Sequence, residues 1–184
     1  VSKEFKELVK EGDYVLCRTT APLVKHCLDF LKKDIKAVVR GKDIGIQLVD
    51  LINQVSNSDC DILDFIEKIQ EYKNDILSRL LEMNKEYEAE IFSDKVEAIL
   101  AIGESCKTRD DICTKINNIF KDDVEGIVFC TVHKSKGLET NRVFIIHPEL
   151  MPHKSAKLDW QIEQERNLIN VANTRAKCEL YTVK

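Results

Sequence analysis

Apolar residues along the chain keep two rhythms, and the switches between them divide it into three stretches. Tyr14-Val-Leu-Cys-Arg18 is a short apolar run of the kind a buried strand needs, and it breaks at Thr19-Thr20-Ala21-Pro22. Leu23, Cys27, Phe30 and Leu31 then recur at helical spacing, with Pro22 suited to the first helical position. Ile35 to Val39 reads as a second strand closed by Gly41, and Asp43 is the expected cap of a helix carrying Ile46, Leu48, Val49, Leu51 and Ile52. Ahead of these, Val1 to Val9 reads as a charged amphipathic helix.

From about Asp59 to Lys121 no convincing strand and no proline occurs. Apolar residues repeat at three and four (Ile62, Phe65, Ile66, Ile69; Ile76, Leu77, Leu80, Leu81; Val96, Ile99, Leu100) between acids and bases, which predicts several amphipathic helices. Strand patterns return at Gly126–Thr131, Arg142–Ile146 and Glu179–Val183, with a helix predicted over Leu158–Ala176 and Asp159 as its cap. Strands separated by helices imply a mostly parallel sheet with helices on both faces. The expected organisation is an α/β domain in two parts, 1–58 and 122–184, interrupted by an all-helical insertion at 59–121.

Composition narrows the class. The chain has 184 residues, 43% hydrophobic and 33% charged, which is the balance of a folded chain rather than a disordered one. No apolar stretch approaches the ~20 residues of a membrane span, and no secretory signal is recognised, so an intracellular, cytoplasmic location is expected. Seven cysteines lie at positions 17, 27, 60, 106, 113, 130 and 178 without C-x-x-C spacing or a nearby zinc histidine. They read as buried free thiols rather than a disulfide or metal framework. A net charge of −4 argues against global attraction to nucleic acid. A local basic patch of Lys134, Lys136, Arg142 and Lys154 remains possible.

Three polar clusters carry the candidate chemistry. Arg18 ends its strand, where its planar fork could reach a phosphate; alone it reads as a surface or salt-bridged arginine. Thr131-Val-His-Lys-Ser-Lys-Gly-Leu-Glu139 leaves a buried strand, the place where open α/β sheets hold ligands. In it Thr131 and His133 leave the strand, Lys134 and Lys136 supply charge, Gly137 permits a positive φ, and Glu139 could accept from a ribose hydroxyl. Gln164 to Ala176 forms a helix with polar patches at Glu165, Arg166, Thr174 and Arg175. No G-x-x-x-x-G-K-[ST] phosphate loop occurs.

Taken together, these segments resemble three motifs of the second RecA-like domain of superfamily 1 helicases of the UvrD/Rep kind. Val15-Leu-Cys-Arg-Thr-Thr-Ala21 looks like the family's V-L-x-R-x-N-A segment, and Thr131 to Glu139 is similar to its T-x-H-x-x-K-G-L-E motif. Gln164-Glu-Arg-Asn-Leu168 through Val171-Ala-Asn-Thr-Arg-Ala176 looks like E-E-R-R-L-x-Y-V-A-x-T-R-A. Thr20, Thr140, Asn167 and Asn170 depart from the family pattern, while Arg18, Glu139 and Arg175 keep it.

The resemblance implies a RecA-like three-layer fold of the P-loop NTPase type. It implies that Arg18 and Arg175 act on the γ-phosphate of ATP with Mg²⁺ as catalytic residues, and that Lys136, Gly137 and Glu139 bind the nucleotide. Thr131, His133 and Lys134 would contact single-stranded DNA or a single/double-strand junction. No metal ligand is expected here, since the phosphate loop and Mg²⁺ acids belong to an N-terminal RecA-like domain that this chain lacks. The chain is therefore expected to be inactive alone and to work as the C-terminal motor domain of an ATP-dependent DNA helicase. The alternatives are a non-catalytic DNA- or protein-binding module and a helicase–nuclease subunit.

Overall fold

In a computed structural model, which describes residues 3–56, 58–122 and 125–183, the two rhythms resolve into strands and helices. Helix α1 (Lys3–Leu8) leads into strand β1 (Tyr14–Cys17), helix α2 (Thr20–Leu31), strand β2 (Ala37–Arg40) and helix α3 (Lys42–Val55). Helices α4 (Ile62–Glu82), α5 (Glu86–Gly103) and α6 (Arg109–Ile119) follow. The chain ends with β3 (Phe120–Lys121), β4 (Ile127–Thr131), β5 (Thr140–Ile146), helix α7 (Asp159–Asn173) and β6 (Ala176–Val183). Val1 and Ser2, part of the expected N-terminal helix, lie outside the described residues.

The described strands form one six-stranded sheet in the order β3-β2-β4-β1-β5-β6, every neighbouring pair parallel. This is the expected α/β class, and it is consistent with a RecA-like domain. Successive residues face opposite sides. Val15, Cys17, Phe129, Phe144 and Ile146 join the large core that α2 covers. Leu16, Cys130, Val143 and Ile145 face the other way, against Ala172 and Leu168 of α7. Burial on both faces is why these strands read as apolar runs rather than as alternation.

The helical stretch shares that large core. Phe65, Ile69, Val96, Ile99, Ile102, Ile112 and Ile116 lie in one cluster with the sheet residues. Capping fixes where α4 and α6 start: Asp61 accepts from the Leu63 N–H, and Thr108 and Asp111 form a reciprocal capping box at α6.

Four local expectations are corrected. The stretch to Lys121 does end in a strand, the two-residue β3, which pairs with β2; it is too short to leave a periodic signal. Gly45 lets α3 lie close to it, since a Cβ there would stand 2.8 Å from the Phe120 Cβ. Helix α3 is capped at Gly41, with Asp43 inside its first turn. Leu158 rather than Asp159 caps α7, because the Gln161 side chain reaches back to the Leu158 N–H at 3.1 Å. That helix stops at Asn173 and Ala176 already belongs to β6: the Thr174 hydroxyl and the Arg175 Nε donate to the last carbonyls, at 2.9 Å to Asn170 and 2.9 Å to Val171.

All seven cysteines are free. Burial pushes the thiol of Cys17 up to about 11 and those of Cys27 and Cys130 up to about 12, so none of these three is a thiolate at neutral pH. Among the described residues no helix is long and apolar enough to cross a membrane, and no group of His, Cys, Asp or Glu could hold a metal ion.

Candidate nucleotide and nucleic-acid sites

The C-terminal ends of β1 and β4 lie side by side, with Cys17 level with Thr131, and this register brings the first two sequence clusters together. A cleft of about 240 Å³ opens there, lined by Arg18, Thr131, His133 and Lys134, with Gln47 and Tyr87 across from them. Thr131 caps a 3-10 turn, Val132–Ser135, by accepting from the Lys134 N–H. That turn throws His133 and Lys134 outward while Val132 and Ser135 are buried. The His133 imidazole is held below its usual pKa, first by desolvation and then by the Arg18 charge, which favours the neutral ring.

Arg18 sits at the floor of this cleft in a buried network. Its Nε donates to both carboxylate oxygens of Glu165 at 3.0 Å, and its Nη2 to Glu165 Oε1 at 2.6 Å and to the Tyr87 hydroxyl at 2.8 Å. Arg18 is 6% exposed and Glu165 1%. Burial opposes charge on Glu165, but the Arg18 hydrogen bonds, the His153 amide and the Arg18 charge outweigh it and hold the carboxyl below its ordinary value. The network continues through His153 Nε2 to Glu90 at 3.1 Å, with Tyr87 edge-on to the His153 ring at 5.1 Å. It thus ties β1 and α7 to α5 of the helical stretch.

Asp94 makes a second tie from α5. Its carboxylate accepts from the Thr20 N–H at 2.7 Å and the Ala21 N–H at 2.9 Å, capping α2 from a different helix. With that cap in place the helix begins at Thr20, so Pro22 falls inside the first turn instead of opening it. Burial raises the Asp94 pKa in spite of these donors. Asp94→Ala should therefore cost only about 1–2 kcal/mol, the range for a lost cap. Thermal denaturation should show a drop of roughly 5 °C; an unchanged midpoint would rule out the capping role.

The third cluster is split: Glu165 reaches the cleft floor, while Thr174 and Arg175 lie at the opposite edge of the sheet. Leu16 is level with Cys130 in β4 and Ile145 in β5, so Thr131 stands level with Ile146, while Glu139 precedes Thr140 at the start of β5. At ~3.3 Å per strand residue the two levels are roughly 20 Å apart. The segment Val132–Glu139 spans them, crossing β1 on the side covered by α7. It ends in a tight turn in which the Leu138 N–H donates to the Ser135 carbonyl at 3.0 Å and Gly137 takes φ +81°. Lys136 at φ −59° and ψ 126° makes this a type II turn, the reason a glycine stands there.

Arg175 locks onto that turn: Nη1 donates to the Leu138 carbonyl at 3.0 Å, and the Thr140 N–H donates to the Arg175 carbonyl at 3.1 Å. Lys177 lies 3.9 Å from Glu139, both half exposed. Lys136, Gly137, Glu139 and Arg175 therefore form one shoulder, and Arg18, Thr131, His133 and Lys134 one cleft. The two arginines expected at a single phosphate stand on opposite edges, because one follows the end of β1 and the other precedes β6.

The expected basic patch does not form a single surface. Arg142 stacks over the rings of Phe144 and Tyr181 at 5.4 and 5.7 Å and faces Asp13 and Glu179. Lys134 pairs with Asp43, and Lys154 lines an adjacent acidic hollow with Glu90, Asp94 and Glu97. Sequence reasoning missed Tyr87, His153, Asp94 and Asp43 as neighbours of the cleft. Glu165 did carry a signal, since it falls in helical register with Leu168 and Ala172, and an acid in an apolar stripe calls for a buried partner.

Comparison with known proteins agrees with these motifs. A family model for the UvrD-like helicase C-terminal domain matches residues 77–184. The ATP-dependent DNA helicase Rep of Buchnera aphidicola subsp. Schizaphis graminum (strain Sg) is 32% identical over 176 residues, covering 91% of this chain and 25% of that protein. Rep of Buchnera aphidicola subsp. Acyrthosiphon pisum (strain APS) is 39% identical over 67 residues, 35% of this chain and 10% of that protein. The putative ATP-dependent DNA helicase YjcD of Bacillus subtilis (strain 168) is 30% identical over 102 residues, 48% and 13%. The chain thus spans a quarter or less of the length of these curated relatives.

Proposed function

The chain belongs to the family of UvrD-like helicase C-terminal domains, and from that premise we propose that it is the C-terminal motor domain of an ATP-dependent DNA helicase. In this reading the shoulder faces ATP and the cleft faces single-stranded DNA. The observation that carries it is the course of Val132–Glu139, one short segment that begins in the cleft and ends in the shoulder.

The shoulder's chemistry suits a nucleotide. Arg175 supplies a planar cation for the charge that builds on a transferring phosphoryl group, worth most where water is excluded. Lys136 adds a second cation, Gly137 keeps the backbone open with nothing within 4 Å of where a Cβ would be, and Glu139 offers an acceptor for a ribose hydroxyl. ATP with Mg²⁺ would supply the phosphoryl chemistry when bound. An N-terminal RecA-like domain is the expected partner and would hold the metal.

In the cleft, Thr131, His133 and Lys134 present the donors a phosphate backbone needs. Arg18 acts there as a positioning residue. Locked on Glu165, it fixes α7, and with it Arg175, relative to the floor on which the strand lies.

The isolated chain should bind single-stranded DNA weakly, with affinity falling as salt rises by a log–log slope of about −0.7 per phosphate contacted. It should show no DNA-stimulated ATP turnover. Turnover from residues 1–184 alone, or binding indifferent to salt, would overturn the reading.

A further inference from the structure

Three cations, Arg18, Lys95 and Lys134, line the cleft; Lys95 donates to Gln47, and the other two are each paired with a carboxylate. The pairs differ in kind. Arg18 and Glu165 have side chains 6% and 1% exposed; separating them would strand a buried charge at about 3–5 kcal/mol, so that pair does not exchange with a ligand. Lys134 Nζ lies 2.6 Å from Asp43 Oδ2, with the two side chains 40% and 54% exposed. Pairs so open to water contribute about 0–1 kcal/mol, less than a phosphodiester can replace.

The placement of Asp43 suits exchange. It stands in the first turn of α3, where the helix dipole stabilises an anion with or without a partner. The hydrogen bond from Lys134 is the main reason its pKa lies below the ordinary aspartate value, so the carboxylate is ionised at neutral pH. Its neighbour Ile44 and, one turn on, Gln47 line the same cleft, with the Gln47 side chain accepting from Lys95 Nζ at 2.9 Å. Asp43 is thus at the mouth of the cleft, on the opposite bank from the turn that carries Lys134.

Resting on the reading of this cleft as the DNA path, we infer that Asp43 is a built-in competitor for the nucleic-acid backbone. Its carboxylate occupies the Lys134 ammonium in the free protein, and a phosphodiester must displace it to bind. In the free protein Arg18 is then compensated by a fixed partner and Lys134 by an exchangeable one. The net contribution of Lys134 to strand affinity is the Lys134–phosphate contact less the Lys134–Asp43 contact.

The test is equilibrium binding of a labelled oligodeoxythymidylate to the full-length protein across a salt series. Asp43→Asn should tighten binding by about two- to fivefold at low salt, the fold-change equivalent of an exposed ion pair. That gain should shrink as salt screens the pair. Lys134→Ala should weaken binding, and Asp43→Asn added to Lys134→Ala should change nothing further. Asp43→Ser, which keeps a side chain favoured at helix starts, should match Asp43→Asn and guards against a folding artefact. If Asp43→Asn and Asp43→Ser bind no tighter than wild type while Lys134→Ala weakens binding, the competitor role is overturned and the cleft reading stands. A gain that persists without Lys134 overturns the role too, as a general charge effect. If Lys134→Ala binds as wild type, both readings fall.

Discussion

Replacing Arg175 by alanine in the full-length protein should lower DNA-stimulated ATP turnover by about 10³-fold, the low end for an arginine acting on a transferring phosphoryl group. That is about 4 kcal/mol of transition-state stabilisation, far more than the structural part of the side chain accounts for. Arg175 also donates to the carbonyls of Val171 and Leu138, at 2.9 and 3.0 Å. Arg175 is only partly buried, so water can take over those acceptors at a cost of about 1 kcal/mol each in stability. The loss should therefore fall on kcat, with the melting temperature shifted by only a few degrees. Arg175→Lys should restore little, because an ammonium keeps the charge and loses the fork that holds the Leu138 turn. Wild-type turnover in Arg175→Ala would remove this residue from the chemistry.

Glu165→Ala should have the largest effect on stability. It leaves the Arg18 guanidinium, 6% exposed, without its carboxylate, and also removes the acceptor for the His153 amide. The expected cost is about 3–5 kcal/mol, a fall in melting temperature of roughly 10 °C for a chain of this size. The effect should depend on pH with a definite sign. The folded-state pKa of Glu165 lies below its unfolded value of 4.5. The charged pair therefore contributes fully above that value and is lost as pH falls through the folded pKa. The stability gap between wild type and Glu165→Gln, measured by denaturant titration, should be constant near neutrality and narrow in acid. A gap that widens in acid would mean that the pair is not what holds β1 to α7.

The strands were legible in the sequence because parallel strands buried on both faces cannot avoid apolar runs. Tyr14 to Cys17 and Ile127 to Thr131 are such runs. The helical middle was legible for the same reason, through the spacing of Phe65, Ile69, Val96 and Ile99. The start of α2 was not, because it is set by Asp94, a carboxylate far along the chain that only packing delivers to the Thr20 and Ala21 amides. Nor could Arg18 be placed with certainty from its own neighbours. The family resemblance implies one phosphate for Arg18 and Arg175, but strand direction puts them on opposite edges. Sequence order carries no information on which end of a sheet a residue reaches until the crossovers are known. The salt-bridged reading of Arg18, open at the sequence level, is the one its surroundings favour.

The segment from Val132 to Glu139 has no length in reserve while its two turns stay folded. Its 3-10 turn advances ~2 Å per residue, the following type II turn spans less than ~7 Å, and two extended steps complete a reach of roughly 20 Å, which is the separation it must bridge. A longer loop would absorb a displacement at one end as slack. Under the proposed function this one would work as a tie rod: a shift imposed at Thr131 by a strand in the cleft would reappear at Leu138, and so at the arginine clasped to it. The stroke of such a device is fixed by backbone geometry, and its two ends cannot be retuned independently.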